Sequence, residues 1–297
     1  MHAPAGNLIL DINRNGRQIS GRVDFSFLDQ RLELHKLQMD FPDGYLSADG
    51  YWSMDRAFGD LRAQAHMGSL SWVQDFWPVD LKGKVDLNAS LANRDKRISL
   101  ATDGKVRDLS YLGINIQKAL LDADFSDLSE LEGDFDVNAD NIALGENLIE
   151  KFTLEGNKSG DLLDLDLAAR GNYGRDFQMD LSGQYVYASN SLSLDRGKGK
   201  YAGMPFSWQK PVDIAFPAKE LAVQGEDIHI AGGVMDVDFT MRKDVLQGKM
   251  SLASVNISTL PVKQTQNIRG DLDADLVVSG SKASPRMKLP VVFPTCN

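Results

Sequence analysis

The side chains that could carry out chemistry are scattered along this sequence. There are four histidines, which are His2, His35, His66 and His229. None stands at a metal-ligand spacing, so each is predicted to lie on the surface or on a strand face. Asp164 and Asp166 are two residues apart, which puts them on one face of a strand. They could bind a cation there, but a solvated acidic face is the favoured interpretation.

The sequence contains no complete motif for a catalytic nucleophile or for phosphate binding. The stretch GKGKYAG around Gly197 has the glycines of a phosphate loop, but no helix is predicted to follow it. The sequence has no Gly-x-Ser-x-Gly, and its single cysteine, Cys296, has no histidine near it in sequence. Trp52, Trp72, Trp77 and Trp208 could stack on sugars, although packing in a core or at a rim is favoured. The sequence therefore predicts neither an enzyme nor a cofactor or metal site.

Composition further narrows the class of protein to which this chain could belong. The chain has 297 residues and a formal net charge of −10, which argues against a protein that tracks nucleic-acid phosphates. With one cysteine it cannot build a disulfide framework, and no apolar run approaches the length of a membrane-spanning helix. The start, MHAPAGNLILDIN, lacks the features of a signal peptide. The final LPVVFPTCN ends within a strand-like run, so we expect the chain to be a piece of a longer protein.

Alternation of apolar and polar residues is the dominant pattern. It runs through Ile19–Phe27, Leu81–Leu91, Leu131–Ala139, Leu246–Leu252 and Ile268–Val278, with turn residues between such runs. Each run predicts a strand with one apolar and one polar face, and the whole chain accommodates about eighteen of them. The best helical candidate is a short turn in which Leu70, Val73, Phe76 and Trp77 share a face before Pro78. We therefore predict an all-β, elongated and mainly antiparallel curved sheet with little helix.

Glycine recurs on the apolar face of these runs. The pattern apolar-x-Gly-x-apolar contains Gly21, Gly83, Gly133, Gly248 and Gly270. A glycine within a strand marks a bulge, a bend or a close approach. As bends, these five would let the sheet curl into a U-shaped trough with an apolar inside. The alternative is that they are twist points, or spacers under a bulky neighbour in a sandwich core.

The chain also repeats part of itself. Ser71–Gly83 and Ser258–Gly270 are equally long, and each places a small apolar turn before an alternating strand. Unequal copies of one supersecondary unit suggest growth along an axis. The sequence thus predicts residues 1–297 to be one continuous repetitive β domain.

Three stretches resemble the TamB family, which belongs to the wider AsmA-like group of bacterial envelope proteins. NISTLPVKQTQNIRGDLDADLVVSGSKASPRMKL joins a small apolar turn to apolar-x-Gly-x-apolar, an alternating strand, a turn and a proline. FDVNADNIALGENLIEKFTLEGNKSGDLLDLDLAARG is similar to that family's paired strands with a Gly-centred turn, and FSWQKPVDIAF to its Trp-x-x-Pro strand. The likeness covers most of the chain and lies in pattern rather than identity.

The resemblance implies a location and partners. A TamB-like protein would lie in the periplasm of a Gram-negative-type bacterium, held in the inner membrane by an N-terminal anchor that this sequence does not include. Its C-terminal part, also not included, would meet an outer-membrane Omp85-type barrel, TamA. The U-shaped sheet would carry phospholipid between the membranes and take part in outer-membrane protein assembly and secretion.

An apolar trough has a physical rationale of its own. An acyl chain of roughly fifteen methylenes costs on the order of 12 kcal/mol to expose to water, and a continuous apolar lining would remove most of that cost. The shared parity predicts the lining residues, which are Val85, Leu87, Phe135, Val137, Leu163, Leu165, Leu272 and Leu276. No nucleic acid is expected as a partner.

Two other classes remain open at this point. A secreted or surface adhesin or binding module, built as a β-sandwich or β-solenoid, would have a closed and filled core. An outer-membrane β-barrel would also alternate, but its strands would carry aromatic girdles at both rims. Aromatic residues are 8% of this sequence and form no such bands.

Overall fold

The structure, a computed structural model, describes residues 5–28, 30–53, 58–216, 220–261 and 269–292. Strands account for 79% of the structure, and two short 3₁₀ turns supply the only helical structure among the described residues. Contacts divide the chain into two compact units, residues 1–160 and 161–297. Each unit is described below by itself.

The first unit is an antiparallel meander, in which each strand pairs with the next along the chain. Its elements are β1 (Ala5–Arg14), β2 (Arg17–Leu28), β3 (Arg31–Phe41), β4 (Gly44–Ser53), β5 (Phe58–Met67), the 3₁₀ turn η1 (Ser71–Asp75), β6 (Leu81–Arg94), β7 (Arg97–Tyr111), β8 (Ile114–Asp127), β9 (Glu132–Leu144) and β10 (Asn147–Ser159). Because the path is a simple meander, odd-to-even connections all lie at one rim of the sheet and even-to-odd connections at the other.

The second unit is also antiparallel, with one strand position shared by two short strands. Its elements are β11 (Leu162–Asn172), β12 (Asp176–Val186), β13 (Ser191–Tyr201), β14 (Met204–Trp208), β15 (Val212–Ala215), β16 (Glu220–Ile230), β17 (Gly233–Arg242), β18 (Val245–Asn256), the 3₁₀ turn η2 (Ile257–Thr259), β19 (Asp271–Ser281), β20 (Ser284–Lys288) and β21 (Val291–Val292). β14 and β15 both lie between β13 and β16. Pro211 separates them, since proline cannot donate a ladder hydrogen bond.

Turn chemistry explains why the strands reverse where they do. Asn15 and Gly16 both have positive φ, at 55° and 75°, as a two-residue type I′ hairpin requires. The equal-length copies noticed in the sequence each begin in a 3₁₀ turn, at η1 and η2. In the second copy, residues 262–268 lie outside the described part of the chain.

The prediction of an all-β, antiparallel curved sheet with little helix is confirmed. The described residues form 21 strands, compared with the eighteen or so expected, and several of these strands, such as β14, β15 and β21, are short. The helical candidate before Pro78 is a single 3₁₀ turn, and the face predicted for it was wrong. Trp72 is the buried residue of that turn, whereas Trp77 is 56% exposed.

Candidate functional site

The register of the first unit aligns apolar residues into rows that cross the whole sheet. One row follows cross-strand partners from β1 to β10 and contains only apolar residues and glycine: Leu10, Gly21, Met39, Leu46, Ala65, Leu87, Gly104, Leu121, Val137 and Leu154. A parallel row two residues away passes through Met67, Val85, Val106, Ala119, Ala139 and Phe152. The predicted lining residues Val85, Leu87 and Val137 therefore share one face.

The next residue on each strand points to the opposite face, and there the row is polar. It runs through Ser47, Gln64, Asn88, Asp103, Asp122, Asp136 and Glu155. Asp122 lies directly between Asp103 and Asp136, so carboxylates face each other across strands. A sheet with one mainly apolar and one mainly polar face is the outcome that period-two alternation predicts.

The second unit repeats this arrangement. One row passes through Leu163, Tyr185, Leu192, Ile214, Val223, Phe239, Gly248, Val278 and Met287. Leu165 pairs with Gly183, Leu276 with Met250, and Leu272 with Val255. The four lining residues predicted here, Leu163, Leu165, Leu272 and Leu276, thus lie among apolar partners.

These apolar faces are only half-buried. All eight predicted lining residues keep part of their side chains exposed. Among the described residues no leucine or phenylalanine is buried, and five of the eleven buried apolar residues are alanines: Ala123, Ala139, Ala169, Ala231 and Ala274. Every substantial contact between described elements joins hydrogen-bonded neighbours in a sheet, or β6 and η1. A filled sandwich core would instead bury leucine and phenylalanine most deeply.

Several glycines on these faces lie beneath an aromatic ring of the partner strand. The pairs are Phe25 over Gly6, Trp52 over Gly59, Phe135 over Gly156, Trp208 over Gly197, Phe206 over Gly199 and Phe239 over Gly248. A Cβ at Gly197 would lie 2.2 Å from the indole of Trp208, so any other residue there would force the ring to move. The rings of Phe206 and Trp208 also stack, with centroids 6.1 Å apart.

Two of the predicted bend glycines lie where the ladder is interrupted. Gly83 and Gly133 have φ values of 134° and 148° and stand beside register shifts. A Cβ at Gly133 would lie 2.0 Å from the carbonyl oxygen of Asp124. Residues that carry a side chain rarely adopt such backbone angles, so both positions are specific for glycine.

Of the other three glycines, Gly21 and Gly248 differ from the bend predicted for them. Gly21 and Gly248 lie in unbroken register, and a Cβ at Gly21 would make only ordinary contact with Met39 at 3.4 Å. Gly248 instead makes room for Phe239, as a spacer under a bulky neighbour does. Gly270 does lie at a bend, with a φ of 132°, directly before the first residue of β19.

An aromatic cluster covers one end of the apolar face in the first unit. Trp72 of η1 stacks on Phe41 with ring centroids 5.0 Å apart and meets Phe76 edge-on at 5.9 Å. Arg17 Nε lies 3.5 Å from Asp75 Oδ2, and this ion pair links η1 to the β1–β2 hairpin. The buried Nε1 of Trp72 has no hydrogen-bond partner among the described residues. This cluster was missed in the sequence because its partners are far apart along the chain.

On the polar face, His66, Asp86 and Arg107 form a compact hydrogen-bonded trio. His66 Nδ1 lies 2.5 Å from Asp86 Oδ1, and Arg107 donates to Asp86 Oδ2 at 2.9 Å. These hydrogen bonds, the one from His66 first and the one from Arg107 second, lower the pKa of the Asp86 carboxyl. The trio is solvent-exposed and has no neighbouring nucleophile in a cavity, so it carries the features of a surface ion pair.

The remaining candidate side chains lie apart from one another. His35 hydrogen-bonds Ser26, and His229 lies 3.7 Å from Asp227. Asp164 accepts from Gln184 at 2.8 Å. Asp166 accepts from Ser182. His2 and Cys296 lie outside the described residues, and within the described residues no group of three or more His, Cys, Asp or Glu could hold a metal ion.

The tryptophans and the glycine-rich stretch take packing roles. Trp208 donates from Nε1 to the carbonyl of Leu194 at 2.9 Å, and Trp52 covers Gly59. Gly197 and Gly199 of GKGKYAG lie within β13 rather than in a loop. Of the four tryptophans, Trp77 is the one whose side chain is more than half-exposed.

Among the described residues, no helix is long and apolar enough to cross a membrane. Comparisons with protein-family models, with curated proteins and with solved structures find no match to this chain. The two apolar faces are the features of the described structure that point to a function.

Proposed function

We propose that this chain is a periplasmic segment of a TamB-like or AsmA-like envelope protein and that its apolar faces shelter phospholipid acyl chains in transit between the inner and outer membranes. The observation that carries the proposal is the unbroken row from Leu10 to Leu154, which crosses ten strands without a polar side chain. An acyl chain has no hydrogen-bonding groups and is stabilised by continuous apolar contact, which such a row supplies.

The residue types on the apolar faces suit a surface along which an acyl chain moves better than a site that binds one ligand in a fixed position. Leucine, valine, alanine and glycine present a smooth surface, without the convergent polar groups that fix the orientation of a bound small molecule. The half-exposed state of Val137 and Leu165 leaves their side chains available to a ligand. The acidic opposite face keeps such a sheet soluble and discourages pairing between sheets.

The proposal extends to the parent protein by resemblance alone. An inner-membrane anchor before this segment, contact with an Omp85-type barrel (TamA) after it, and a role in outer-membrane protein assembly and secretion are parts of the same proposal.

Direct extraction of lipid tests the proposal. The chain would be produced in the periplasm of a Gram-negative bacterium, purified without detergent, and its bound lipid quantified by mass spectrometry. We expect phospholipid to copurify, and Leu87→Asp combined with Val137→Asp to reduce the amount severalfold. Asn88→Asp with Asn138→Asp places the same charges on the opposite face and should leave the lipid content unchanged. Lipid-free wild-type protein would contradict the proposal.

A further inference from the structure

One rim of the first unit presents apolar side chains to solvent at the ends of its hairpins. Leu112, at the tip between β7 and β8, is 81% exposed, and Tyr111 and Ile114 on either side of the turn are 41% and 40% exposed. Leu81, Tyr111, Ile114 and Leu144 are successive cross-strand partners, so the apolar patch extends over four strands. Trp77, 56% exposed, lies in the β5–β6 connection at the same rim.

Leucine is an unfavourable choice at this tip for two independent reasons. Leu112 and Gly113 have φ values of 49° and 82°, the two positive angles of a type I′ turn, whose first position favours asparagine, aspartate or glycine. A leucine in that conformation is strained, and its side chain is left in water. The corresponding tip between β1 and β2 has Asn15. This cost in stability, at the apex of an apolar patch that extends over four strands, points to an interaction made there.

The charges near the patch neutralise one another. Lys82 lies 3.6 Å from Asp80, Arg107 lies 2.9 Å from Asp86, and Lys118 lies 4.0 Å from Asp140. No excess of positive charge remains to attract anionic headgroups. The charge of the whole chain, −10, would oppose binding to an anionic surface.

We propose that this rim, defined by Trp77, Tyr111, Leu112 and Ile114, inserts shallowly into the interface of a zwitterionic lipid bilayer. The tip is convex and aliphatic at its apex, so it can enter the acyl region without a preformed pocket. Trp77 and Tyr111 each combine an apolar ring with one polar group, which suits the level of the headgroups. The inference does not depend on the apolar face carrying lipid, because none of these four residues belongs to the rows described above.

The opposite rim supplies a matched control. Leu131, in the β8–β9 connection, also has a positive φ, at 57°, and is 48% exposed. The β6–β7 turn at that rim is charged throughout, with Arg94, Asp95, Lys96 and Arg97. Leu112→Asn and Leu131→Asn thus make the same chemical change at similar backbone angles on opposite rims.

The test is flotation of the purified 297-residue chain with phosphatidylcholine vesicles. We expect the wild-type chain to bind, Leu112→Asn to weaken the partition coefficient about tenfold, and Leu131→Asn to leave it unchanged. Both variants should keep or raise the thermal midpoint, because asparagine suits a left-handed turn position. Replacing a third of the lipid with phosphatidylglycerol should not strengthen binding. Absence of wild-type binding, equal loss in both variants, or binding that requires the anionic lipid would each overturn the proposal.

Discussion

The ring of Phe135 in β9 lies across Gly156 in β10, its direct cross-strand partner. A Cβ on Gly156 would lie 2.3 Å from the Cζ atom of that ring. Glycine on the apolar face therefore has a second use besides bending the strand: it allows an aromatic side chain to lie flat against the neighbouring backbone. Flat rings keep the face smooth while they cover backbone that glycine leaves exposed.

Replacing glycine with alanine should show which glycines are needed at a bulge, which are needed beneath a ring, and which can be replaced. Gly133→Ala should destabilise the chain by more than about 2 kcal/mol, because the new Cβ meets backbone and the φ angle is strained. Gly156→Ala should cost less, since the ring of Phe135 can rotate away, and Phe135→Leu should relieve part of that cost. Gly21→Ala, where the new Cβ makes ordinary contacts, should change the free energy of unfolding by less than about 0.5 kcal/mol. Urea denaturation measures all four, and equal losses at Gly21 and Gly133 would contradict the assignment.

A carboxylate should be tolerated on the half-exposed face but not in the buried parts of the sheet. Val137→Asp leaves the new charge in reach of water, so the chain should fold with a modest loss of stability. Val255→Asp puts a charge at a position that is 1% exposed and should cost several kcal/mol. Circular dichroism and urea midpoints compare the two. Unfolding of both variants alike would indicate a filled core at Val137.

The trio around Asp86 should contribute a pH-dependent increment of stability. Its carboxyl has a lower pKa in the folded chain than the usual value near 3.9, so the increment is fully present above that value and is lost as the pH falls through the folded-state pKa. Asp86→Asn should therefore lower stability at pH 7 by at most about 1 kcal/mol after solvent screening, and by less at pH 3. Thermal midpoints at the two pH values measure the difference.

Asp122→Asn is the matched comparison for that variant. Asp122 faces Asp103 and Asp136 across the strands, and like charges directly opposite one another are destabilising. Its replacement should raise the thermal midpoint at pH 7, the opposite sign to Asp86→Asn. The same sign for both variants would show that net charge, rather than local pairing, governs their effects.

The alternation of residues predicted the strands and their faces well because it reports a local property, the direction of each side chain. Leu87 and Asn88 were assigned to opposite faces from parity alone, and the register places them so. The roles of individual glycines were harder to predict. Gly133 and Gly248 occupy the same sequence pattern, yet one sits at a bulge and the other under a ring. That difference depends on which residue the neighbouring strand places opposite, which no short window contains.

The cluster around Trp72 could not be predicted for a related reason. Trp72 contacts Phe41 from more than thirty positions away, and the order of apolar residues near Pro78 suggested a different buried face. The exposed tip at Leu112 did carry a signal: a leucine precedes glycine in a two-residue turn between alternating runs. The structure is needed to show that its side chain meets no other strand.

The central claim, that acyl chains travel along the apolar faces, is tested most directly by photo-crosslinking with single-residue resolution. A photoreactive amino acid would replace Leu87, Val137, Leu165 or Leu276, and in matched variants the adjacent Asn88, Asn138, Asp166 or Asp275, in the full-length parent protein in living cells. We predict phospholipid adducts at the first four positions and none at the second four, because each pair differs only in the face to which its side chains point. Adducts of equal yield at both members of each pair, or none at any position, would contradict the account.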